Sequence, residues 1–363
     1  MARTSRVMVF HQAGQPLELR HHSLPKLDDG EVLVRVTGCT LCGSDIHTYD
    51  GRRSTRCPTV LGHEIIGRVE ELPSGSGVCD FDGSALEIGD RITWSVAASC
   101  GNCFFCDDGL PQKCERLFKY GHERITDSHA LSGGLAEHCH LARGTAIFRV
   151  PDELPDAVAC PANCATATAA AAMRYAGSCA GHVVLVQGAG MLGLTAAAMA
   201  AAGGASEVIV CDKLAERLTL ASSFGATQTV CVTEDDISLR ETAEKATGGR
   251  GVDIAIDMSG APEAIEAGVD LLRVGGHYVW VGAVFPTRSV AVSPETVVRK
   301  ILSLQGVHNY TPSDLRNALE FLEHNHRRFP FEQLVGETFT LEDAGKAFAH
   351  ASQSRALRVA VKT

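Results

Sequence analysis

The sequence predicts a two-part α/β protein, a β-rich region followed by a doubly wound parallel sheet. Its 363 residues are long enough for two buried cores. Residues 1–160 alternate short β-like runs with turns marked by Gly and Pro. Residues 161–304 instead alternate apolar runs with helical stretches, the pattern of βαβ units.

The elements follow in chain order. In the first region EVLVRVTG, EIIGRVEEL, DRITWSVA and AIFRVP read as strands, and PSGSGVCDFDGSALEIG (73–89) as a turn-rich surface loop. In the second, HVVLVQ, EVIVCD, VDIAID and GHYVWVG are strands, with LAERLTLASSFGA and PEAIEAGVDLLRVG as helices between them. Residues 305–363 give two helices near 312–323 and 341–350 and a final strand in ALRVAVK, and are expected to return to the first domain.

Composition excludes several classes of function. Hydrophobic residues are 45% and charged residues 21%, ordinary for a globular chain, and the net charge of −10 argues against a nucleic-acid partner. No apolar run is long enough to span a membrane, and MARTSRVMVFHQAGQPLELR has no signal-peptide core, so a cytoplasmic location is expected. Fourteen cysteines in a reducing compartment are then thiols available to metals. CGNCFFCDDGLPQKC places Cys100, Cys103, Cys106 and Cys114 within fifteen residues, a spacing that points to metal rather than disulfides.

VVLVQGAGMLGLTAAAMAAAGG reads as strand, glycine-rich turn and helix start, with Gly188, Gly190 and Gly193 fitting G-x-G-x-x-G. The first glycine permits the tight turn, the second lets backbone approach a pyrophosphate, and the third packs helix against strand. Met191 and Leu192 complete the helix start, whose free N–H groups and positive dipole end suit phosphates. The next strand ends in Asp212, 24 residues after Gly188, where a carboxylate can accept bonds from the adenosine ribose hydroxyls. Asp212 would repel a 2′-phosphate, so NAD is expected, although Lys213 and Arg217 supply positive charge beside it.

Cys42 and His63, in CTLCGSDIHTYDGRRSTRCPTVLGHEIIG, are ligands of the kind a catalytic zinc uses. C-G-S-D-x-H, then G-H-E-x-x-G, then the cysteine quartet, then G-x-G-x-x-G make the chain resemble a zinc-dependent medium-chain alcohol dehydrogenase along essentially its whole length. The resemblance implies a GroES-like catalytic domain over 1–160, a structural zinc lobe at about 97–116, and a Rossmann domain over 161–304. It implies two zinc ions and a homodimer or homotetramer acting on a small alcohol or carbonyl compound. The quartet becomes the structural site, with no position for chemistry.

The third catalytic ligand is implied to lie about 24 residues before the glycine turn, which selects Cys164; Cys160 lies 28 before it and reads as a core residue. Cys160-Pro161 imitates the Glu-Pro of many relatives, but only with a four-residue gap. By the same resemblance Glu64 stands behind the zinc, Ser44 and His47 relay the proton, Asp45 holds local geometry, and Arg358 approaches the pyrophosphate. A gapless count from His47 puts Arg53 at a pocket-lining position, where a guanidinium would suit a carboxylate, phosphate or phosphonate. Strand alternation would turn Arg52 the other way. The bland account of GRRSTR is a solvated basic loop. LFKYGHE and PANCATATAA also resemble a subgroup of these dehydrogenases associated with phosphonate metabolism.

Two other functions compete: a zinc-free quinone or enoyl reductase of the same superfamily, and a non-enzymatic zinc-ribbon redox regulator. The first lacks the three-ligand set; the second needs a basic face.

Overall fold

The computed structural model describes residues 3–75, 77–232, 237–354 and 356–363; Ser76, in the expected surface loop, lies outside them. Contacts divide the chain into one unit of Met1–Cys164, Thr311–His326 and Phe331–Thr363, and a second of Ala165–Tyr310 and Arg327–Pro330.

The first unit is built on a mixed sheet in the order Ile147–Arg149, Arg91–Trp94, Glu64–Glu71, Val32–Leu41, Arg358–Lys362, Val335–Thr340. Val32–Leu41 is its spine, pairing antiparallel with Glu64–Glu71 on one side and Arg358–Lys362 on the other. It is buried over most of its length, and its apolar residues, among them Leu33, Val34, Val36, Cys39 and Leu41, share a core with Trp94 and Tyr120. The register decides what comes next. Thr40 faces Glu64 and Leu41 faces Val359, so Cys42, His63, Glu64 and Arg358 arrive at one end of three adjacent strands. The helix Gly43–Tyr49 starts there.

The cysteine lobe leaves and rejoins this unit through a small antiparallel ribbon, Ala97–Ala98 with Phe118–Lys119. The expected final helices occupy Pro312–Asn325 and Ala344–Ser354. Arg52 and Arg53 do not lie on a strand as supposed: they follow the helix in a turn, with the Arg53 amide bonded to the His47 carbonyl at 3.0 Å.

The second unit is a parallel sheet in the order Gln228–Cys231, Glu207–Asp212, Val183–Gln187, Val252–Asp257, Leu272–Trp280, Ser303–Gly306. The chain reverses direction across the sheet at Val183–Gln187, the switch point where such sheets bind ligands. That strand is buried throughout, as a strand covered on both faces must be. The helix Met191–Ala202 leaves its carboxyl end.

Candidate active site and metal centres

Cys42, His63, Glu64 and Cys164 converge so that one ligand atom of each lies within 4.8 Å of the others. Cys42 Sγ is 4.0 Å from Cys164 Sγ, and His63 Nε2 is 3.3 Å from Cys164 Sγ. Zn–S bonds of about 2.3 Å at tetrahedral angles separate two sulfurs by roughly 3.8 Å, so the spacing fits zinc. Cys160 is not in this group. It is 3% exposed and packs beneath Gly38, and burial holds its thiol well above the ordinary pKa.

Asp45 organises two of the ligands. One carboxylate oxygen accepts the Cys42 amide at 3.0 Å and so caps the helix Gly43–Tyr49. The other accepts from His63 Nδ1 at 3.0 Å and from the Gly62 amide at 3.3 Å. Holding the Nδ1 proton fixes the tautomer and leaves Nε2 free to ligate. Burial opposes the imidazolium, but Asp45 outweighs it and pushes His63 up to about 10.

Glu64 is fully buried and bonded on both oxygens to Arg358, at 2.7 Å from Nε and 2.8 Å from Nη2. Thr40 Oγ1 donates to it at 2.6 Å. Burial raises the Glu64 carboxyl pKa, with the Arg358 charge acting the other way. Arg358 is 5% exposed, so it is no solvated strand charge. Burial disfavours its cation, yet Glu64 and Cys42 hold its pKa above the ordinary value. The resemblance implies a pyrophosphate contact for this residue; its observed bonds run to Glu64, to the Leu357 carbonyl and, at 3.5 Å, to Cys42 Sγ. Cys164 pulls the Cys42 thiol well below its usual range, and Arg358 and His63 add to that against burial.

Sequence reasoning missed Asn163. Its buried amide donates to the carbonyls of His63 and Trp94, both at 3.0 Å, and pins the short 3-10 turn that presents Cys164. An Asn beside a ligand Cys was the available signal.

Ser44 and His47 lie one turn apart on the helix that begins after Cys42, and both are partly exposed. Burial, assisted by Arg52, lowers the His47 pKa. Arg53 is half-buried with Nη1 3.4 Å from His122 Nε2, and the His122 ring lies 5.4 Å from that of His63. Burial pushes His122 well below its ordinary pKa, with His63, Arg53 and Lys119 adding to the effect. His122 and Lys119 are further residues that sequence reasoning did not assign, although both stand in the quoted LFKYGHE.

Cys100, Cys103, Cys106 and Cys114 form the second group of ligand atoms within 4.8 Å. Cys103 Sγ lies 3.6 Å from Cys106 Sγ and 3.9 Å from Cys114 Sγ, and Cys100 Sγ 4.0 Å from Cys106 Sγ, separations that bracket the edge of a tetrahedral zinc–sulfur site, about 3.8 Å. The amides of Cys100 and Arg116 both point at Cys114 Sγ at 3.3 Å. A hydrogen bond from the Asn102 backbone, then Arg116, lowers Cys100 to about 6, a thiolate at neutral pH.

In the second unit Gly188 has a φ of +102°, which only glycine adopts cheaply. A Cβ on Gly193 would lie 1.7 Å from the Gly188 carbonyl oxygen, so helix and turn touch as the motif requires. Above Gly190 there is open space, which leaves the helix N-terminus of Met191 and Leu192 accessible to a phosphate. Asp212 accepts the Ala189 amide at 2.7 Å and the Leu214 amide at 2.8 Å, tying the glycine turn to the next strand. Arg217 lies 3.9 Å from its carboxylate, and Lys213 is adjacent.

Comparison with known proteins agrees with both halves of this description. Residues 28–152 match the alcohol dehydrogenase GroES-like domain and residues 192–324 the zinc-binding dehydrogenase domain. The chain is 31% identical to 5-exo-hydroxycamphor dehydrogenase of Pseudomonas putida, over 88% of each chain. An alcohol dehydrogenase structure from Thermotoga maritima superposes with a TM-score of 0.93 at 30% identity, over 99% of each chain. A structure described as a zinc-binding dehydrogenase from Sinorhizobium meliloti, bound to NADP, gives 0.85 at 26% identity over 99% of this chain and 100% of the other. With two clusters of candidate metal ligands, a dinucleotide turn and relatives along nearly its full length, the chain belongs to the medium-chain, zinc-type alcohol dehydrogenase family.

Proposed function

We propose that the protein is a two-zinc, NAD-linked dehydrogenase that interconverts a small alcohol and its carbonyl form, the substrate carrying an anionic group. The observation that carries the reaction class is the convergence of Cys42, His63, Cys164 and Glu64 in a chain that also holds the dinucleotide turn. The donor set counts against a zinc-free quinone or enoyl reductase, and a net charge of −10 against a nucleic-acid-binding regulator.

Bound zinc would supply Lewis-acid polarisation of the substrate oxygen, and the nicotinamide would take up or return the hydride. The residues of the chain do the rest. Cys42, His63 and Cys164 would hold the metal, with Glu64, neutralised by Arg358, as the adjoining carboxylate. Ser44 passes the hydroxyl proton outward, and His47 gives it to water. A lowered pKa keeps His47 uncharged at neutral pH, ready to accept that proton and slow to hold it. Asp212 takes the ribose hydroxyls of NAD, with Lys213 and Arg217 as its neighbours, and Gly188, Gly190, Met191, Leu192 and Gly193 receive the pyrophosphate. Arg358, 5% exposed and bonded through every guanidinium nitrogen to Glu64, Cys42 or the Leu357 carbonyl, neutralises Glu64 in place of the expected pyrophosphate contact.

Arg53 supports the anionic substrate. It is half-buried next to a ligand histidine's neighbour, and no carboxylate among the described residues pairs with it. A screen of NAD-linked activity across small alcohols, with and without carboxylate, phosphate or phosphonate groups, tests the reading. Arg53→Leu is expected to cut the preference for charged over neutral alcohols by roughly tenfold to a hundredfold, the value of one charge-assisted bond. Exposed Arg52, paired with Asp50 at 2.7 Å, is the control, and Arg52→Leu should leave the preference as it was. Equal losses for charged and neutral substrates would sink the anionic reading.

A further inference from the structure

Glu64 has two places to stand, and the one it takes decides what the candidate catalytic metal can do. One of its carboxylate oxygens lies within 4.8 Å of the ligand atoms of Cys42, His63 and Cys164. A carboxylate that joined those three would fill the fourth position of a tetrahedral site, the one a catalytic zinc keeps open. Glu64 is turned to Arg358 instead.

Two bonds from one guanidinium do not fix that choice. Arg358 donates through Nε at 2.7 Å and Nη2 at 2.8 Å, and both nitrogens belong to one planar group. The pair is therefore free to swing as a unit on two jointed side chains. A third bond, from another strand, stops this motion. Thr40 Oγ1 donates to Glu64 Oε2 at 2.6 Å, the shortest of the three. Thr40 is the antiparallel neighbour of Glu64, so the sheet holds its backbone, and its β-branched side chain is stiff at χ1. Both lone pairs of Oε2 are then taken, by Arg358 Nε and by Thr40.

A plain explanation is that a buried hydroxyl takes whatever acceptor is near. Other threonines of the same sheet do this with backbone. Thr37 Oγ1 donates to the Ile66 carbonyl at 3.3 Å and Thr93 Oγ1 to the Ile65 carbonyl at 2.8 Å. Thr40, 1% exposed, goes instead to a carboxylate side chain that is itself fully buried. A bond of that kind sets where a metal-binding group stands, which a bond to backbone does not.

We propose that Thr40 is a positioning residue that keeps Glu64 on Arg358 and away from the catalytic metal. The fourth position is thereby left to the substrate oxygen. Without the Thr40 hydroxyl the carboxylate swings toward Cys42, His63 and Cys164 and competes for that position. The inference concerns the metal site alone and rests on the two-zinc reading above.

Cobalt(II) in the catalytic group, with zinc kept in the cysteine lobe, gives visible bands that report its ligands without turnover. Imidazole is the probe, because it binds an open metal position directly. In the wild type it is expected to shift the bands. Thr40→Val should change the bands before imidazole is added and weaken imidazole binding about tenfold, the loss of one bond to a charged group. Thr40→Ser keeps the hydroxyl and should restore most of both. Thr37→Val, which removes a hydroxyl bonded to backbone, is the control and should match wild type. Circular dichroism and metal content show that each variant is folded and loaded, and Thr40→Ala replaces the valine variant should that one lose metal. Wild-type bands and imidazole affinity in a loaded Thr40→Val protein overturn the role of Thr40, as does an equal loss in Thr37→Val. Failure of both the valine and alanine variants to load metal overturns it too, since Thr40 would then serve the fold. If imidazole leaves the wild-type bands unmoved, the open position and the role of Thr40 fall while the two-zinc reading stands. If wild type takes up no metal in this group, both fall.

Discussion

Asp45 shows how a few atoms set the ligand geometry, because its two oxygens serve Cys42, Gly62 and His63 at once. The same precision separates the two candidate cysteines. Cys164→Ala is expected to lose one of two zincs and nearly all turnover while the fold stays, since the lobe and both cores are untouched. Cys160→Ala should keep both zincs and lose only stability, because its sulfur packs among buried groups. Metal analysis of the two purified variants decides, and the opposite pattern would place the ligand at Cys160. Asp212 is the second position where one side chain carries a choice. Asp212→Gly should raise the Michaelis constant for NAD and relax discrimination against NADP, with Lys213 and Arg217 then free to meet a 2′-phosphate. Steady-state kinetics with both cofactors measure it, and a wild type that prefers NADP would refute the assignment.

Among the elements, the cysteine lobe is the one expected to depend most directly on metal for its stability. It has little core of its own, since Phe104 is 69% exposed and the lobe's short helix has no buried residue. Zinc contributes on the order of 10 kcal/mol to folding in small zinc modules of this kind. Cys103→Ser is therefore expected to give protease sensitivity within residues 97–116, aggregation, or altered assembly, and limited proteolysis would detect it. The Ala97–Ala98 and Phe118–Lys119 ribbon closes the lobe onto the first unit. A Cys103→Ser protein with wild-type stability and only an altered rate constant would show the lobe to be dispensable for folding. The helix Gly43–Tyr49 plays the other part: Asp45 holds its start at the metal ligands, and it spaces Ser44 and His47 one turn apart.

At the scale of the whole molecule, two candidate metal groups with different surroundings predict metal loss in two stages. The catalytic group is ringed by fixed partners, with His63 on Asp45 and Glu64 on Arg358 and Thr40, so its ligands stay in place without zinc. Treatment with a chelator should first abolish activity, recoverable by added zinc, with little change in circular dichroism. Loss of the second equivalent should bring unfolding that zinc does not fully reverse. Activity, metal content and ellipticity followed on one sample check this, and simultaneous loss of all three would contradict it.

Much of the candidate site is legible in the chain because its chemistry is local. Two cysteines separated by two residues, or three glycines in one turn, report a constraint that lies within a few residues of itself. The quartet Cys100, Cys103, Cys106 and Cys114, the Gly188–Gly193 turn and the alternation of strands and helices are of this kind, and so is the family to which the chain belongs. The partnerships were not legible. Arg358 meets Glu64 across 294 residues, Asn163 meets the His63 carbonyl across 100, and Arg53 meets His122 across 69. No local pattern encodes such pairs, since Arg358 and Glu64 meet through the register of distant strands and the other two through the packing of turns far apart in the chain. Residue types and spacing by themselves determined which groups could bind metal and dinucleotide. Only the tertiary structure decided which charges are neutralised and which remain open, because the partner of a buried charge is chosen by sheet order and register.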